Sequence, residues 1–433
     1  MLSAKSDLSS TNVDWWFMYK LPKGCGPEDK VSLGNEYLYF QSGQKTALSL
    51  SSNKLGNGPQ GALFNTLQQL FESQSPNVGW IHYNDEYPAS MKKSDFPPNV
   101  PAKFYSQNAR ASDRGKPIDH GHNGHCKGTL AFDLDSDTAF WLSHSTPRIP
   151  GLHLDNEQAF FYPEYAVQYA QTFICISLKN VAAAQSIANV LQEQHQPQVF
   201  GSQLPSIIKQ DSEYSELWQL AQGSLPPAYS EKYAEKHGKK APSDLTFKSK
   251  EGKSFRLLAK SGAWFDDFWI DLVGPTLEVD LRIETWRRLT KTAVLPTKDG
   301  KDIPDDYGKQ DFITTYKGRE YHHEFKDLGD KEIIDEITHV DLQMLKDHKG
   351  NMLSDYHWSY TKDHAKWAIS EEAIERGKTD NETDIPTHIS WVCIADMNRM
   401  TSQEKRGGGA ICFHEPLLWQ SLNEIERISG KIT

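Results

Sequence analysis

The sequence lacks the features of a membrane protein and of a disulfide-rich secreted domain. It has 433 residues and no run of about 18 apolar ones, so no membrane-spanning helix is expected. The first 24 residues show no apolar core behind a basic start, so no signal peptide is predicted. The five cysteines form no CxxC pair. This cysteine usage is typical of mostly buried free thiols, with at most two bridges.

Acidic side chains also outnumber basic ones. The formal net charge is −11 with histidine neutral, which argues against binding of a polyanion at neutral pH. The chain contains 16 histidines, and protonation of all of them would change the net charge from −11 to +5. Carboxylates, with an ordinary pKa of about 4, would stay mostly ionised near pH 5. The composition therefore permits polyanion binding in acid.

The chain has enough apolar residues for an ordered protein, with 37% hydrophobic and 11% aromatic residues. Because its length exceeds that of one compact core, two halves are expected. Strand-like runs alternate with amphipathic helices, which indicates the α/β class. We predict an N-terminal half over 1–200, a polar junction over 201–253, and a C-terminal half over 254–433 that carries a surface insertion at 291–355.

One short pattern, histidine-x-lysine, opens a strand-like run in each half. The first pair is His125 and Lys127 in HCKGTLAF, and the second is His364 and Lys366 in HAKWAIS. A tryptophan-containing strand follows each run, as FWLSHS and WVCIADMN. Chance can supply two such triplets, but the matching settings favour a weak internal repeat. We expect the two motifs to face each other between the halves.

Two histidine-lysine pairs around one point suit a phosphate group. Residues two apart in a strand point to the same face, so each histidine projects beside its lysine. The lysines can neutralise non-bridging oxygens and the charge of a five-coordinate phosphorus. One imidazole can attack the phosphorus while the other protonates the departing oxygen. This chemistry requires no metal.

The ordered motifs YKLP, HSTPRIP, DHAKW and NRMTSQEKRGGG resemble those of the deoxyribonuclease II family. The resemblance covers most of the chain outside 200–250 and 295–355. It implies a phospholipase D-like α/β fold, with two pseudo-symmetric halves of mixed sheets flanked by helices. It also implies an acid endonuclease that needs no metal or other cofactor. Such an enzyme cleaves double-stranded DNA to 3′-phosphate and 5′-hydroxyl ends through a phospho-histidine intermediate.

The resemblance also implies roles for the four motif residues. His125 would be the nucleophile and His364 the general acid, although the sequence does not distinguish this assignment from its reverse. Lys127 and Lys366 would hold the phosphate. Double-stranded DNA is the expected partner and a homodimer the expected assembly, without membrane binding. An acidic compartment or the outside of the cell is the expected location.

Further substrate-binding candidates follow from the same resemblance: His144 in HSTP, Asn398 in DMNR and Asp14 in VDWW. The sequence departs from the wider phospholipase D pattern at one point. That pattern has an acidic residue five positions after each lysine. The corresponding residues here are Phe132 and Glu371, so the sequence does not identify a fixed carboxylate for the first histidine.

Other interpretations stay open. The same fold could support a phosphodiesterase or phospholipase, and a family member could bind DNA without cutting it. The segment DHGHNGHC could supply zinc ligands from His120, His122, His125 and Cys126. We favour a histidine-rich loop, because His125 already belongs to a His-x-Lys motif. The acidic run DKEIIDEITHVD is expected to be a solvated amphipathic helix.

Overall fold

The described part of the chain is dominated by β-structure. The computed structural model describes residues 1–27, 32–56, 60–85, 123–149, 162, 164–224, 226–286, 312–316, 319–323, 334–337, 339–370, 374–375 and 388–425. No helix within these ranges is long and apolar enough to cross a membrane.

The strands of the first 203 residues are Ala4–Lys5 (β1), Asn12–Val13 (β2), Trp15–Lys20 (β3), Tyr37–Gln41 (β4), Ser49–Leu50 (β5), Val78–Tyr83 (β6), Gly128–Asp133 (β7), Thr138–His144 (β8), Gln171–Leu178 (β9) and Val199–Gln203 (β10). Later strands are Ser243–Lys248 (β11), Ser254–Lys260 (β12), Leu281–Glu284 (β13), Phe312–Tyr316 (β14), Arg319–His323 (β15), Ile334–Glu336 (β16), His339–Asp341 (β17), Lys346–Asp347 (β18), His357–Ser359 (β19), Trp367–Ser370 (β20), Ile374–Glu375 (β21), His388–Ile389 (β22), Trp391–Ala395 (β23) and Gly408–His414 (β24).

Helices are short and lie between the strands. The α-helices are Ala62–Glu72 (α1), Val181–Val190 (α2), Ser215–Gln222 (α3), Glu231–His237 (α4), Gly274–Leu277 (α5), Thr401–Glu404 (α6) and Pro416–Asn423 (α7). Single π-helical turns cover Leu191–His195 and Trp269–Val273, and 3₁₀ turns cover Glu164–Val167, Ser206–Lys209, Ser212–Tyr214 and Tyr360–Lys362.

Two large sheets organise these elements. One has nine strands in the order β10-β6-β7-β8-β9-β3-β4-β5-β18, and the other has seven in the order β11-β12-β24-β23-β20-β13-β16. Both are mixed, because β5 pairs with β18 and β13 with β16 in parallel, while the other neighbours are antiparallel. The predicted α/β class with mixed sheets is confirmed.

The centres of the two sheets share one strand order. The run β6-β7-β8-β9-β3 is antiparallel throughout, and so is the run β13-β20-β23-β24-β12. In each run the first four strands occur in the same order along the chain. In the second run, short strands that are not part of the run lie between some of them in the sequence. Strands β7 and β20, which follow the two His-x-Lys motifs, therefore occupy matching positions.

The main core lies between the two sheets. On β3, Trp15, Phe17 and Tyr19 contribute to this core, whereas the alternating Trp16 and Met18 pack with α1 on the outer face. This alternation follows from the two-residue period of a strand. The second sheet divides in the same way, and its outer face packs against residues 264–283. The β3 strand is buried on both faces, which explains its nearly all-apolar sequence.

The structure differs from the expected organisation in two places. The seven-stranded sheet begins at β11, inside the stretch 201–253 expected to be a polar junction, because β11 pairs along its whole length with β12. Within 291–355, expected to be a surface insertion, the apolar side chains Leu342, Leu345 and Leu353 are buried in the main core. The acidic run is also not a helix where described, since it contains β16 and β17.

The cysteines match the expectation of mostly free thiols. One disulfide joins Cys393 to Cys412, which are register partners on β23 and β24. The three remaining cysteines, Cys25, Cys126 and Cys175, are buried and free.

Candidate active site

Each His-x-Lys motif ends at the residue before a central strand. Lys127 directly precedes β7, and Lys366 directly precedes β20. The backbone N–H of His144, on β8, donates to the Lys127 carbonyl at 3.1 Å. The backbone N–H of Ala395, on β23, donates to the Lys366 carbonyl at 2.9 Å. The backbone of β8 therefore holds Lys127 in the same way as the backbone of β23 holds Lys366.

Each histidine is held by the backbone of the opposite sheet. The N–H of His125 donates to the Gly407 carbonyl at 2.8 Å, and its ring Nδ1 lies 2.6 Å from the carbonyl oxygen of Asp396. The N–H of His364 donates to the Ala170 carbonyl at 3.0 Å. These cross-sheet hydrogen bonds bring both motifs to the junction of the two sheets.

The charges of the two motifs act on each other at this junction. Burial lowers the pKa of His125 and of His364 well below the ordinary value, and Lys127 and Lys366 lower both further. Burial also lowers the pKa of Lys366 to about 7, with a further contribution from Lys127. The structure therefore brings His125, Lys127, His364 and Lys366 together in one strongly cationic site.

A carboxylate that the sequence did not identify lies within this site. Asp85 lies two residues after the end of β6, and its Oδ1 lies 2.9 Å from Lys127 Nζ. Its Oδ2 lies 3.4 Å from His125 Nε2 and 3.8 Å from Arg406 Nη2. Burial alone would raise the pKa of Asp85, but the three neighbours outweigh burial and hold this pKa well below its ordinary value.

Arg406 connects the two sheets beside the first motif. Its Nε donates to the Asn123 carbonyl at 3.0 Å and its Nη2 to the Gly124 carbonyl at 3.2 Å. The guanidinium comes from the turn before β24, while both carbonyls belong to the segment leading into β7. It therefore fixes the approach to His125 and adds a third cationic side chain to the site.

Aromatic rings surround the second histidine. The ring of Tyr169 stacks on His364 with centroids 3.9 Å apart and an interplanar angle of 12°. The Trp286 ring lies 4.0 Å from the same imidazole at 45°. Neither aromatic residue was identified from the sequence, because each belongs to a connection that has no contact with the motif until the chain folds.

The residue before His364 is a buried carboxylate that fixes the motif. Asp363 accepts hydrogen bonds from the Tyr19 hydroxyl, from Trp358 Nε1 at 2.7 Å and from the Ala365 N–H at 2.8 Å. Burial raises its pKa, while these donors act in the opposite direction. Strand β3, which carries Tyr19, therefore helps to position the second motif.

Two further predicted residues lie near the motifs. His144 is the last residue of β8, and its ring stacks on Phe173 at 5.5 Å. Burial lowers the pKa of His144 to about 3, and Lys127 lowers it further. Asn398 is buried two residues after Asp396, and within the described residues its Oδ1 accepts no hydrogen bond.

The structure does not bring Asp14 to this site. Asp14 precedes β3, whereas the opposite end of that strand carries Tyr19 beside the second motif. A strand rises about 3.3 Å per residue, so roughly 16 Å separates these two positions. The Asp14 carboxylate accepts from Ser249 Oγ at 2.6 Å and from the Glu251 N–H at 2.7 Å. These contacts join the two sheets far from the motifs.

The remaining sequence-based candidates divide between the core and undescribed residues. Phe132, five positions after the first lysine, is buried in the main core. Asp85, from a different strand, supplies the carboxylate next to the first histidine. His120, His122 and Glu371 lie outside the described residues.

A possible metal-ligand set lies behind the first motif. Cys126, His195 and Asp396 are buried, and each places one ligand atom within 4.8 Å of the others. Thiolate, imidazole and carboxylate groups are zinc ligands. Burial raises the pKa of Asp396 to about 7, while the nearby charges of Lys127 and Lys366 lower it. Because the same charges oppose binding of a cation, we assign no metal to this cluster.

Comparison with known proteins places the chain in a family. The family profile described as Deoxyribonuclease II matches residues 6–428. A Burkholderia thailandensis protein named "Putative deoxyribonuclease-2" is 33% identical over 436 residues, which cover 99% of this chain and 93% of that protein. Deoxyribonuclease-2 of Caenorhabditis elegans is 29% identical over 424 residues, covering 97% and 91%. Deoxyribonuclease-2-beta of Rattus norvegicus is 26% identical over 415 residues, covering 95% and 88%. The chain therefore belongs to the deoxyribonuclease II family.

Proposed function

We propose that this protein is a metal-independent acid endonuclease that hydrolyses double-stranded DNA to 3′-phosphate and 5′-hydroxyl ends. The observation that carries the proposal is the meeting of two His-x-Lys motifs in one buried cationic site. Membership of the deoxyribonuclease II family supports DNA as the substrate. The shared order of five strands in the two sheets supports a duplicated, phospholipase D-like architecture.

His125 is the nucleophile in this mechanism. A carbonyl oxygen only accepts hydrogen bonds, so the 2.6 Å contact with the Asp396 carbonyl places the ring proton on Nδ1. The lone pair of the neutral ring is then on Nε2, which lies beside Lys127 and Asp85. Burial lowers the pKa of this imidazole and keeps it neutral. Nε2 forms a bond to phosphorus as the bond from phosphorus to the 5′ oxygen breaks.

His364 is the general acid. It gives a proton to the departing 5′ oxygen, which leaves as the 5′-hydroxyl end. Burial lowers the pKa of His364, whereas contact with Tyr169 and Trp286 favours its protonated form through cation–π attraction. The negative charge of a bound phosphate also favours protonation. Water then gives a proton to the now neutral His364 and attacks phosphorus, and the bond from phosphorus to His125 breaks to leave a 3′-phosphate.

The lysines stabilise the charge that develops on the phosphate oxygens. Lys127 and Lys366 replace the electrostatic contribution that a metal ion makes in other nucleases. Lys366 is charged below its lowered pKa of about 7, which favours the reaction in acid. In this mechanism His144 and Asn398 orient the histidines or hydrogen-bond to the substrate. Asp14 has no part in this mechanism, because its carboxylate is bound by Ser249 and Glu251 at the opposite end of β3.

Plasmid nicking in EDTA from pH 4.5 to 8 tests the proposal. The wild type should nick best in acid, while His125→Ala and His364→Ala should lose activity. His237→Ala, on the exposed face of α4, is the matched control and should stay active. Activity that EDTA abolishes and zinc or magnesium restores would exclude the mechanism. Binding without nicking would indicate a non-enzyme, and turnover of phosphatidylcholine alone would indicate a phospholipase.

A second substrate separates the two histidine roles. A p-nitrophenyl phosphodiester has a leaving group that needs little protonation. His364→Ala should therefore recover most of its activity on this substrate, whereas His125→Ala should stay inactive. The opposite pattern would reverse the two roles. Equal loss in both variants would remove the distinction between nucleophile and acid.

A further inference from the structure

We infer that the carboxylate of Asp85 occupies the phosphate subsite and competes with the substrate for it. The inference rests on the proposed function, since it identifies the phosphate as the group that Asp85 opposes. Asp85 then determines how tightly the site holds an anion. Arg406 becomes the third cationic member of the subsite.

The contacts of Asp85 are those that a bound phosphate would make. One carboxylate oxygen lies 2.9 Å from Lys127 Nζ. The other lies 3.4 Å from His125 Nε2, the proposed attacking atom, and 3.8 Å from Arg406 Nη2. A phosphate in position for attack by His125 needs the same lysine and the same side of the imidazole. The carboxylate and the phosphate therefore cannot both hold these contacts.

Burial makes this competition strong. Asp85 is 7% exposed and Lys127 is 2% exposed, so water screens their interaction poorly. Other charged or titratable groups also interact electrostatically with Asp85, namely Lys366, Asp396, His144, His364 and Cys126. Two anions in such a site repel each other. An entering phosphate therefore requires Asp85 to leave the subsite or to take up a proton.

A positioning role is the alternative for Asp85. A carboxylate between His125 and Lys127 could hold both side chains ready for the substrate, as second-sphere carboxylates do in other sites. The two roles predict opposite effects when the charge is removed. Loss of a competitor strengthens anion binding, whereas loss of a positioning group weakens it.

Sulfate binding measured by titration calorimetry distinguishes these roles. Sulfate keeps a constant charge between pH 5 and 7, so changes of affinity report on the protein. In Asp85→Asn, sulfate should bind at least tenfold more tightly than in the wild type at pH 7. The gain should persist at pH 5, because the pKa of Asp85 lies well below its ordinary value and the carboxylate stays charged. Equal or weaker binding by Asp85→Asn would overturn the inference.

Two further variants locate the site and control for loss of a carboxylate. Lys127→Ala should weaken sulfate binding strongly, and unchanged binding in that variant would contradict a subsite centred on this lysine. Asp14→Asn removes a buried carboxylate at the opposite end of β3 and should bind sulfate like the wild type. If Asp85→Asn does not fold, Asp85→Ser provides the same charge change with a smaller side chain.

The sulfate experiment tests the competition independently of the proposed nuclease activity. Sulfate binding requires no turnover, so it can be measured even if plasmid nicking is absent. Nicking by the wild type together with unimproved sulfate binding by Asp85→Asn would refute only the competition. Tighter sulfate binding without nicking would retain the competition and refute the nuclease.

Discussion

Acid should destabilise this fold through its buried histidines, and His82 allows the effect to be isolated. His82 lies on β6, stacked on Trp80 with centroids 4.3 Å apart and near Phe200 at 5.9 Å. Its Nδ1 contacts Thr129 Oγ1 at 2.8 Å. Burial lowers its pKa to about 3, compared with 6.5 in the unfolded chain.

The sign and size of the effect follow from these two values. Between pH 6.5 and about pH 3 the unfolded chain binds a proton at this position that the folded chain does not. Stability is therefore full above the unfolded pKa and decreases as the pH falls. From pH 7 to pH 5 the loss from this one histidine is about 2 kcal/mol, from proton linkage.

His82→Phe removes the titrating group and keeps an aromatic ring between its neighbours. The lost contact with Thr129 costs the same at both pH values and cancels in the comparison. Urea unfolding should show that the free energy of unfolding falls between pH 7 and pH 5 by about 2 kcal/mol less in the variant than in the wild type. The control His237→Asn, at an exposed position, should follow the wild type. An equal fall in His82→Phe and in the wild type would refute the reasoning.

Two other predictions concern the site and the second sheet. Burial lowers the pKa of Lys366 to about 7, so its charge is lost as the pH rises through that value. Lys366→Arg stays charged, so between pH 6 and pH 8 its kcat/KM for DNA should fall by a smaller fraction than that of the wild type. A decline as steep as that of the wild type would contradict this prediction. Cys393→Ala should lower the free energy of unfolding by about 3 kcal/mol, since the disulfide closes a loop with a sequence separation of 19. Urea unfolding with and without reductant measures this loss of stability. A variant as stable as the oxidised wild type would exclude the prediction.

The two His-x-Lys motifs could be recognised in the sequence because each is a short local pattern. His125 and Lys127 are two residues apart, as are His364 and Lys366, and each lysine directly precedes a strand that the sequence indicates. Asp85 could not be predicted, although it follows a strand that the sequence indicates. Its contact with Lys127 depends on β6 and β7 being neighbours, which is a property of sheet order.

The fold of the polar segments also depends on long-range contacts that a local sequence pattern does not predict. Residues 339–355 are rich in charged side chains, and this composition is typical of a surface insertion. Leu342, Leu345 and Leu353 stand among polar residues and form no continuous apolar run, yet all three enter the main core. Parallel pairing of β18 with β5 draws this segment onto the first sheet. Such a long-range pairing leaves no local pattern.

The buried cations and the buried histidines together link substrate binding to stability in acid. Lys127 and Lys366 lie close enough to interact, and Asp85 is the carboxylate that contacts the first of them. A bound DNA phosphate would supply the further negative charge that this arrangement favours. A ligand that binds only the folded state stabilises it by RT ln(1 + L/Kd), where L is the free ligand concentration, so the gain rises with the logarithm of ligand concentration once the site is mostly filled. The acid that weakens the fold at His82, His144 and His195 also favours the charged form of Lys366 in the proposed mechanism, so bound DNA should offset part of the acid destabilisation.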